Sequence, residues 1–426
     1  MTVQTFEYAR GAGAASPEAR SSSTAPPGGG DDPLHGELME LNIGPQHPAT
    51  HGVLRLKVTL DGEVMRTVEP VVGYLHRGKE KIGETLSFHQ FLPYTDRLDY
   101  LAPLANNVAY TVACEKLVGV EATPRAQAIR VICCELARIS AHLLGLGAYA
   151  MDLGAMTIFL WTFREREAIY SLIERICGAR FTTSYTRVGG VERDLPEDFL
   201  PKLEAFVREF PGRVDEYEAL LTRNKIWVRR TQGVGVISKE VALAYGLTGP
   251  NLRGSGIDYD CRKAHPYCGY EQYEFEVPVG SAGDCYDRYL VRIEEMRQSA
   301  HILRQVIDTL PSGPYINRDQ ERVLKSVLPD KTKTLTNMEA LIHQFMVATE
   351  SIAAPPGEAW FSAENPKGEL GFFLRSNGGA SATRCRIRAP SFAALQCLVE
   401  IVPGHMVADV MAILGSIDFV MGECDR

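Results

Sequence analysis

A long run of helical pattern between about residues 101 and 230 constrains the fold of this chain most strongly. Apolar residues recur at three- and four-residue spacing, as in IRVICCELARISAHLLGL. Pro103 and Pro124 stand where proline is favoured, at the first position of a helix. Four long helices in succession predict a central bundle. Their expected ranges are Pro103 to Val118, Pro124 (after the cap residue Thr123) to Leu146, Ala155 to Cys177, and Pro196 to Arg223.

Shorter β segments flank this helical region. VLRLKVTLDGEVMRTVEP predicts a hairpin that turns at Asp61-Gly62. EFEVPVG, GELGFFLRSN and ATRCRIRAP predict short strands, and the segment from about Asp284 to Leu310 predicts a helix with its charges along one face. The expected fold class is α+β and predominantly helical, with an N-terminal β-hairpin and short peripheral strands.

Composition along the chain predicts one folded domain after a tail. Residues 1–36 are small, polar and rich in Gly and Pro, which predicts disorder. Residues 37–426 are expected to form a single domain. Within it, residues 37–72 are β-rich, 73–235 form the helical bundle, and 236–426 form a mixed remainder.

Charge and cysteine usage exclude several function classes. A net charge of −8 argues against a broad nucleic-acid-binding surface. None of the ten cysteines has CxxC spacing, which favours reduced core thiols over a metal or cluster bound by this chain alone. The longest apolar stretch, roughly Gly145 to Phe163, is interrupted by Asp152 and is shorter than the roughly 20 apolar residues of a spanning helix. Work at a membrane would therefore need partners.

Three groups of residues could carry proton chemistry. His47 and His51 have i,i+4 spacing, but Pro45 and Pro48 disfavour the helix that a zinc site would need. These histidines could instead be proton donors in a pocket, or simply occupy a turn.

Charged and phenolic residues crowd the start of the first long helix in FLPYTDRLDYLAPLANN: Tyr94, Asp96, Arg97, Asp99 and Tyr100. Helix capping is one explanation for the acids. Asp152, between two apolar helical runs, is either a partly buried carboxylate that needs a partner or part of a solvated junction.

Several long strings identify a resemblance that covers nearly all residues after about residue 37. The chain resembles the quinone-site, 49-kDa-type subunit of respiratory complex I. The resemblance is carried, in collinear order, by GPQHPATHGVLR, GYLHRGKEKIGE, QFLPYTDRLDYLAPLANN, GARFTTSYTRVGG, TGPNLRGSGIDYDCRKAHPY, VPVGSAGDCYDRY and SIDFVMGECDR.

That family is related to the large subunits of nickel–iron hydrogenases, so a hydrogenase-large-subunit-like fold is implied. The hydrogenases bind metal through two cysteine pairs. The matching positions here are Asp99 and Ala102 in the first stretch, and Val420 and Glu423 in the second. Because all four thiolates are absent, the resemblance implies a quinone headgroup pocket in place of a nickel–iron centre.

The resemblance also implies roles for individual residues. His51 and Tyr100 would contact the two quinone oxygens, and Asp152 would pair with His51. His47 would support that loop, and Arg97 and Arg77 would lie towards an iron–sulfur cluster bound by a neighbouring subunit. Thr182 stands where many ubiquinone-using relatives have histidine. The missing titratable group predicts a cluster potential that depends less on pH, matched to a low-potential quinone such as menaquinone, with ubiquinone as the alternative.

The function implied is transfer of electrons from that cluster to a membrane quinone, with proton uptake coupled to proton translocation. The implied partners are the iron–sulfur subunit, the 30-kDa-type subunit, the quinone-channel membrane subunit and the quinone itself. The implied location is the cytoplasmic face of a bacterial inner membrane. A membrane-bound hydrogenase-type large subunit and a non-catalytic scaffold are the alternatives.

Overall fold

A computed structural model describes residues 38–47, 52–317, 329, 331–349 and 352–426. The predictions for the tail at 1–36 and for His51 therefore lie outside the described residues.

The predicted N-terminal hairpin is confirmed. Strand β2 (Arg55–Asp61) pairs antiparallel with β3 (Val64–Val71). Gly62 adopts a φ of 61°, which a two-residue hairpin turn requires and glycine accepts without strain. A third strand, β1 (Met39–Ile43), pairs with the other edge of β2. The sequence pattern does not predict this strand.

The helical bundle begins as predicted. After the short helices α1 (Lys79–Thr85) and α2 (Phe88–Thr95) comes α3, at Pro103–Val118 as expected. Helix α4 (Pro124–Asp152) starts at its Thr123 cap but continues six residues past the predicted end. Glycine only weakens a helix, and burial of Tyr149 and Ala150 stabilises this last part. Helix α5 (Met156–Cys177) follows after a three-residue connection.

Helix α4 is long and apolar enough to cross a membrane, but 89% of its most apolar window is buried inside the protein. It packs against α5 and α11, which makes it the central helix of the core. All ten cysteines are free thiols and eight of them are buried, which confirms their prediction as core residues.

The middle of the chain adds one long helix, several short ones and a second central helix. The elements are β4 (Thr186–Arg187), β5 (Gly190–Val191), α6 (Phe199–Leu221), α7 (Lys225–Thr231), α8 (Lys239–Ala244), α9 (Pro250–Gly254), α10 (Cys261–Ala264), a 3₁₀ turn (Tyr270–Gln272) and α11 (Cys285–Thr309).

The charges of α11 do not lie along one face, so that prediction was wrong. Arg288, Arg292 and Glu295 are buried, whereas Arg304 is exposed. The buried charges lie where α4, α6, α9 and the helix Asp409–Ile417 pack against α11 and supply partners for them.

The C-terminal part contains a three-stranded antiparallel sheet of β6 (Gly357–Asn365), β7 (Gly368–Ser376) and β8 (Arg384–Arg388). Strands β7 and β8 were predicted, whereas β6 was not. EFEVPVG was wrongly predicted as a strand: it forms only a bridge at Val279 and joins no sheet, and Gln305 and Gln298 of α11 instead accept hydrogen bonds from the amides of Glu274 and Glu276. The remaining helices are Lys331–Thr336, Met338–Thr349, Pro390–Gln396, Leu398–Ile401, Asp409–Ile417 and Met421–Cys424.

Candidate functional site

Two segments that are distant in sequence meet beside the start of α3. One is the turn at residues 96–102, and the other is the C-terminal stretch from Asp418 to Asp425. Lys79 joins them: its ammonium donates to the carbonyl oxygens of Arg97 at 2.5 Å and of Gly422 at 2.8 Å. Burial lowers the pKa of Lys79 to about 8. A buried ammonium with two backbone acceptors holds both segments in one position.

Gly422 makes this close approach possible. A Cβ atom there would lie 2.5 Å from the carbonyl oxygen of Leu98 and 3.1 Å from Cδ1 of Tyr100. Any larger residue would separate the two segments, so glycine is required sterically.

The four positions matched to hydrogenase cysteines lie on these two segments. Asp99, Ala102, Val420 and Glu423 are all buried. The Asp99 carboxylate accepts from the Leu101 amide at 3.1 Å, and the Glu423 carboxylate accepts from the Ser391 amide at 2.9 Å. Within the described part of the chain, the second oxygen of each carboxyl group has no hydrogen-bond partner.

Burial raises the pKa of both carboxyl groups. The pKa of Asp99 is about 6, raised by desolvation and held from going higher by Lys367. The pKa of Glu423 is about 7, raised by desolvation and by the nearby Asp99. Residues 96–102 and 418–425 together form one surface, which we call the wall. The wall therefore carries two acids that titrate near neutral pH.

An ion-paired carboxylate lies next to this wall. Asp418 follows the helix Asp409–Ile417 with a left-handed φ of 56° and forms a buried salt bridge with Lys367. Arg292 of α11 lies 3.8 Å from the same carboxylate. These contacts connect the wall to the central helices.

Tyr100 is half-buried on the same wall. Burial and the neighbouring Asp99 raise its pKa to about 12. The phenol therefore stays protonated at neutral pH and can donate a hydrogen bond.

The two arginines that the resemblance places towards a cluster are exposed. Arg97 donates to the carbonyl oxygen of Pro93 at 2.5 Å. Helix capping does not explain the neighbouring Asp96, because α3 has no side-chain cap. The Asp96 carboxylate instead accepts hydrogen bonds from Asn107 of α3 and from Ser184. This contact brings the loop with Thr182 (φ 54°) to the side of the molecule that carries Arg97.

His47 and Gly52 lie beside the C-terminal segment. They pair through an isolated β-bridge, and an ideal Cβ on Gly52 would be 3.7 Å from the Met421 side chain, an ordinary van der Waals distance. Asp152, half-buried, is the last residue of α4. The predicted pairing of Asp152 with His51 stays a prediction.

A cavity of about 380 Å³ opens beside the C-terminal segment. Its lining includes His76, Cys424 and Asp425, whose carboxylate accepts from the amides of Gly73 and Leu75. A larger cavity, about 1220 Å³, lies elsewhere, between α3, α4 and β6, and its lining includes none of the predicted site residues.

Three charged residues of this site were not identified from sequence: Lys79, Lys367 and Asp418. Lys367 stands in a Pro-Lys-Gly turn and Lys79 in a charged run, patterns typical of solvent-exposed lysines. Only their burial in the fold distinguishes them.

Comparison with known proteins identifies the family. Residues 152–426 match the family described as "Respiratory-chain NADH dehydrogenase, 49 Kd subunit". The chain is 62% identical to an NADH-quinone oxidoreductase subunit of Methylacidiphilum infernorum, over 92% of this chain and 93% of that protein. It is 60% identical to the equivalent protein of Akkermansia muciniphila, over 93% and 94%, and 50% identical to that of Geobacter sulfurreducens, over 92% and 99%.

Membership implies assembly with other subunits of a membrane-associated respiratory complex. The chain belongs to the 49-kDa subunit family of respiratory NADH dehydrogenases and is one of the subunits of an NADH-quinone oxidoreductase.

Proposed function

We propose that the wall formed by residues 96–102 and 418–425 binds the headgroup of a membrane quinone, ubiquinone or menaquinone, and that the quinone is reduced there. The observation that carries this proposal is Tyr100, a half-buried phenol whose pKa of about 12 keeps it protonated beside two buried acids. Reduction by two electrons places negative charge on the quinone oxygens, and a neutral phenol can donate a hydrogen bond and then a proton to one of them.

The second oxygen is assigned to His51, paired with Asp152 and supported by His47. This assignment follows the resemblance. Asp99 and Val420 form part of the pocket wall. Two electrons and two protons convert the quinone to the quinol, and each oxygen gains one proton.

Electrons come from an iron–sulfur cluster in a neighbouring subunit. Arg97, on the exposed side of the turn, and Arg77 are placed towards that cluster. Within the described residues no group of three or more His, Cys, Asp or Glu is arranged for a metal ion. The iron–sulfur subunit, the 30-kDa-type subunit and the quinone-channel membrane subunit are the proposed neighbours, at the cytoplasmic face of a bacterial membrane.

Tyr100→Phe tests the headgroup assignment. The change removes one hydroxyl group and keeps the ring that packs beside Gly422. We expect quinone turnover by membranes that contain the whole complex to fall by a factor of about 100, the lower range for a lost proton donor. The clusters upstream should still be reduced by NADH, and complex abundance should be unchanged.

Tyr94→Phe is the matched control, because Tyr94 is 37% exposed, stacks on Phe91 and stands outside residues 96–102 and 418–425. It should keep wild-type turnover. Normal turnover in Tyr100→Phe would remove Tyr100 from the mechanism and refute this placement of the headgroup.

A further inference from the structure

The helix Met338–Thr349, which we call the outer helix, turns its apolar face towards solvent. Met338, Leu341, Ile342 and Phe345 have the i, i+3, i+4, i+7 spacing that places side chains on one face of a helix. The large side chains on this face and at its two edges are all at least 45% exposed: Leu335, Met338, Leu341, Ile342, Phe345 and Met346.

The opposite face of the outer helix meets the rest of the chain. Val347, half a turn away from Met338, is buried, and Ala340 and His343 beside it are half-buried. The carbonyl oxygen of Ala348 accepts a hydrogen bond from the Gln90 side chain of α2 at 3.5 Å. A surface helix normally turns its large apolar residues inward, so the orientation of this helix is the reverse of the usual one.

The exposed apolar face is large for a protein that works alone. At roughly 150–250 Å² for a large side chain, its exposed fractions leave on the order of 700 Å² of apolar surface in water. Proteins without partners rarely expose an apolar patch of more than a few hundred Å². One side of a standard protein–protein interface buries about 800 Å², which is close to the area of this face.

The sequence around the face favours a protein over a lipid surface as the occupant. A helix that lies on lipid carries Lys and Arg on its polar face, whereas the outer helix contains neither, and Glu339 is its one acidic residue. The short helix before it adds Lys331 and Lys333, fewer than the roughly four to eight basic residues of a lipid-binding cluster.

The family to which the chain belongs favours a different subunit as that protein. Its members are subunits of an NADH-quinone oxidoreductase, so each has protein neighbours of other sequence. Residues 1–37 of the chain itself are mostly small and polar and contain few large apolar side chains that could cover the face.

We propose that the outer helix docks into an apolar groove of another subunit of the NADH-quinone oxidoreductase, with Phe345 as its central anchor. An amphipathic helix in an apolar groove is a common mode of recognition, and aromatic residues are frequent anchors. Because the outer helix contacts α2, whose last residue directly precedes the wall, the docked subunit is a neighbour of the proposed quinone site. The inference rests on membership of the family and is independent of where the quinone binds.

Phe345→Glu tests the docking in the whole complex. We expect the amount of assembled complex recovered from membranes to fall at least about tenfold, because an unpaired carboxylate is costly to bury in an apolar groove. Leu341→Glu should have the same effect, whereas Phe345→Leu keeps an apolar side chain and should assemble.

Gln344→Glu is the matched control, because it adds the same charge to the same helix at an exposed position about 100° around from Phe345. It should keep wild-type assembly. Wild-type assembly in both Phe345→Glu and Leu341→Glu, or an equal loss in Gln344→Glu, would overturn the proposal.

Unfolding of the full chain alone distinguishes docking from packing within the chain. Phe345 is 69% exposed, so Phe345→Glu should unfold in urea at the wild-type midpoint although it no longer assembles. A lower midpoint would mean that residues of this chain cover the face, and the docking of another subunit there would be refuted.

Photocrosslinking identifies what covers the face. Benzoylphenylalanine, a photoreactive residue of similar shape, is placed at position 345 in the whole complex, and the product is analysed by mass spectrometry. A product with another subunit of the complex is the expected result. A product of two copies of this chain, a product with lipid alone, or no product would each contradict it.

Discussion

At the scale of single residues, Gly422 determines how closely the two segments of the wall approach each other. It has no side chain, and the space that a Cβ would need is occupied by the carbonyl oxygens of Arg97 and Leu98 at 2.8 and 2.5 Å. Backbone atoms on both sides cannot yield as a flexible side chain would. The relative positions of Asp99, Glu423 and Tyr100 therefore depend on one position where only glycine fits.

We expect Gly422→Ala to lower the free energy of unfolding of the full chain by about 1–3 kcal/mol, the usual cost of overpacking. Quinone turnover should fall as well, because Asp99 and Glu423 would be forced apart. Gly212→Ala is the control: Gly212 is exposed within α6 and has no atoms near the added methyl, so it should gain about 0.5–1 kcal/mol. Equal stability of the two variants in chemical unfolding would contradict the proposed close contact.

At the scale of elements, an ionic network holds α4, α9, α11 and β6 together. Arg253 of α9 donates to Glu295 of α11 at 2.7 Å and to Glu364 of β6 at 2.8 Å, and all three side chains are buried. Although burial opposes it, Arg253 holds the pKa of Glu295 well below its usual range. His142 of α4 contacts the same carboxylate at 2.7 Å, and burial lowers the pKa of this imidazole to about 4, so it is neutral at pH 7.

Arg253→Met should destabilise the full chain by about 3–5 kcal/mol, because it leaves buried carboxylates without their cation. The loss should be smaller at acidic pH, where Glu295 and Glu364 can take up protons. Arg175→Met removes an arginine that is 39% exposed and paired with Asp198, and should cost less than about 1 kcal/mol. Urea unfolding at neutral and acidic pH measures both variants, and similar losses at neutral pH would refute the energetic role given to the network.

At the scale of the whole molecule, buried charges connect the site to a central helix. Lys367 is paired with Asp418 beside the wall, and Asp418 lies 3.8 Å from Arg292 of α11. Asp152, at the end of α4, is the proposed partner of His51.

Asp152→Asn is expected to separate reduction of the iron–sulfur clusters from quinone turnover and proton pumping. In proteoliposomes with the whole complex, NADH should still reduce the clusters, whereas quinone turnover or proton pumping should fall at least about tenfold. The physical reason is that an amide cannot balance a charged imidazolium. A variant with wild-type turnover and pumping would show that this carboxylate has no part in coupling.

Local pattern predicted much of the framework, because those elements depend on neighbours in sequence. The helix at Pro103–Val118 and the hairpin at Asp61-Gly62 follow from proline and glycine backbone preferences and from apolar periodicity. The prediction of secondary structure was wrong where contacts with distant elements determine the conformation of the backbone. EFEVPVG has strand-like alternation, but its backbone amides are bound by side chains of α11.

The sequence by itself determined the family, the long-helix bundle and the position of Tyr100 and Asp99 beside α3, because motifs and periodicity are local properties of the chain. Only the tertiary structure decided that Asp99 and Glu423 are buried on two segments in contact, that Lys79 and Lys367 are buried, and that Arg288, Arg292 and Glu295 of α11 face inward. These features depend on desolvation and on contacts between residues far apart in sequence, such as Lys79 and Gly422, which are 343 positions apart. No local pattern encodes how much water surrounds a charge, and that quantity sets the pKa values on which the chemistry of the site depends.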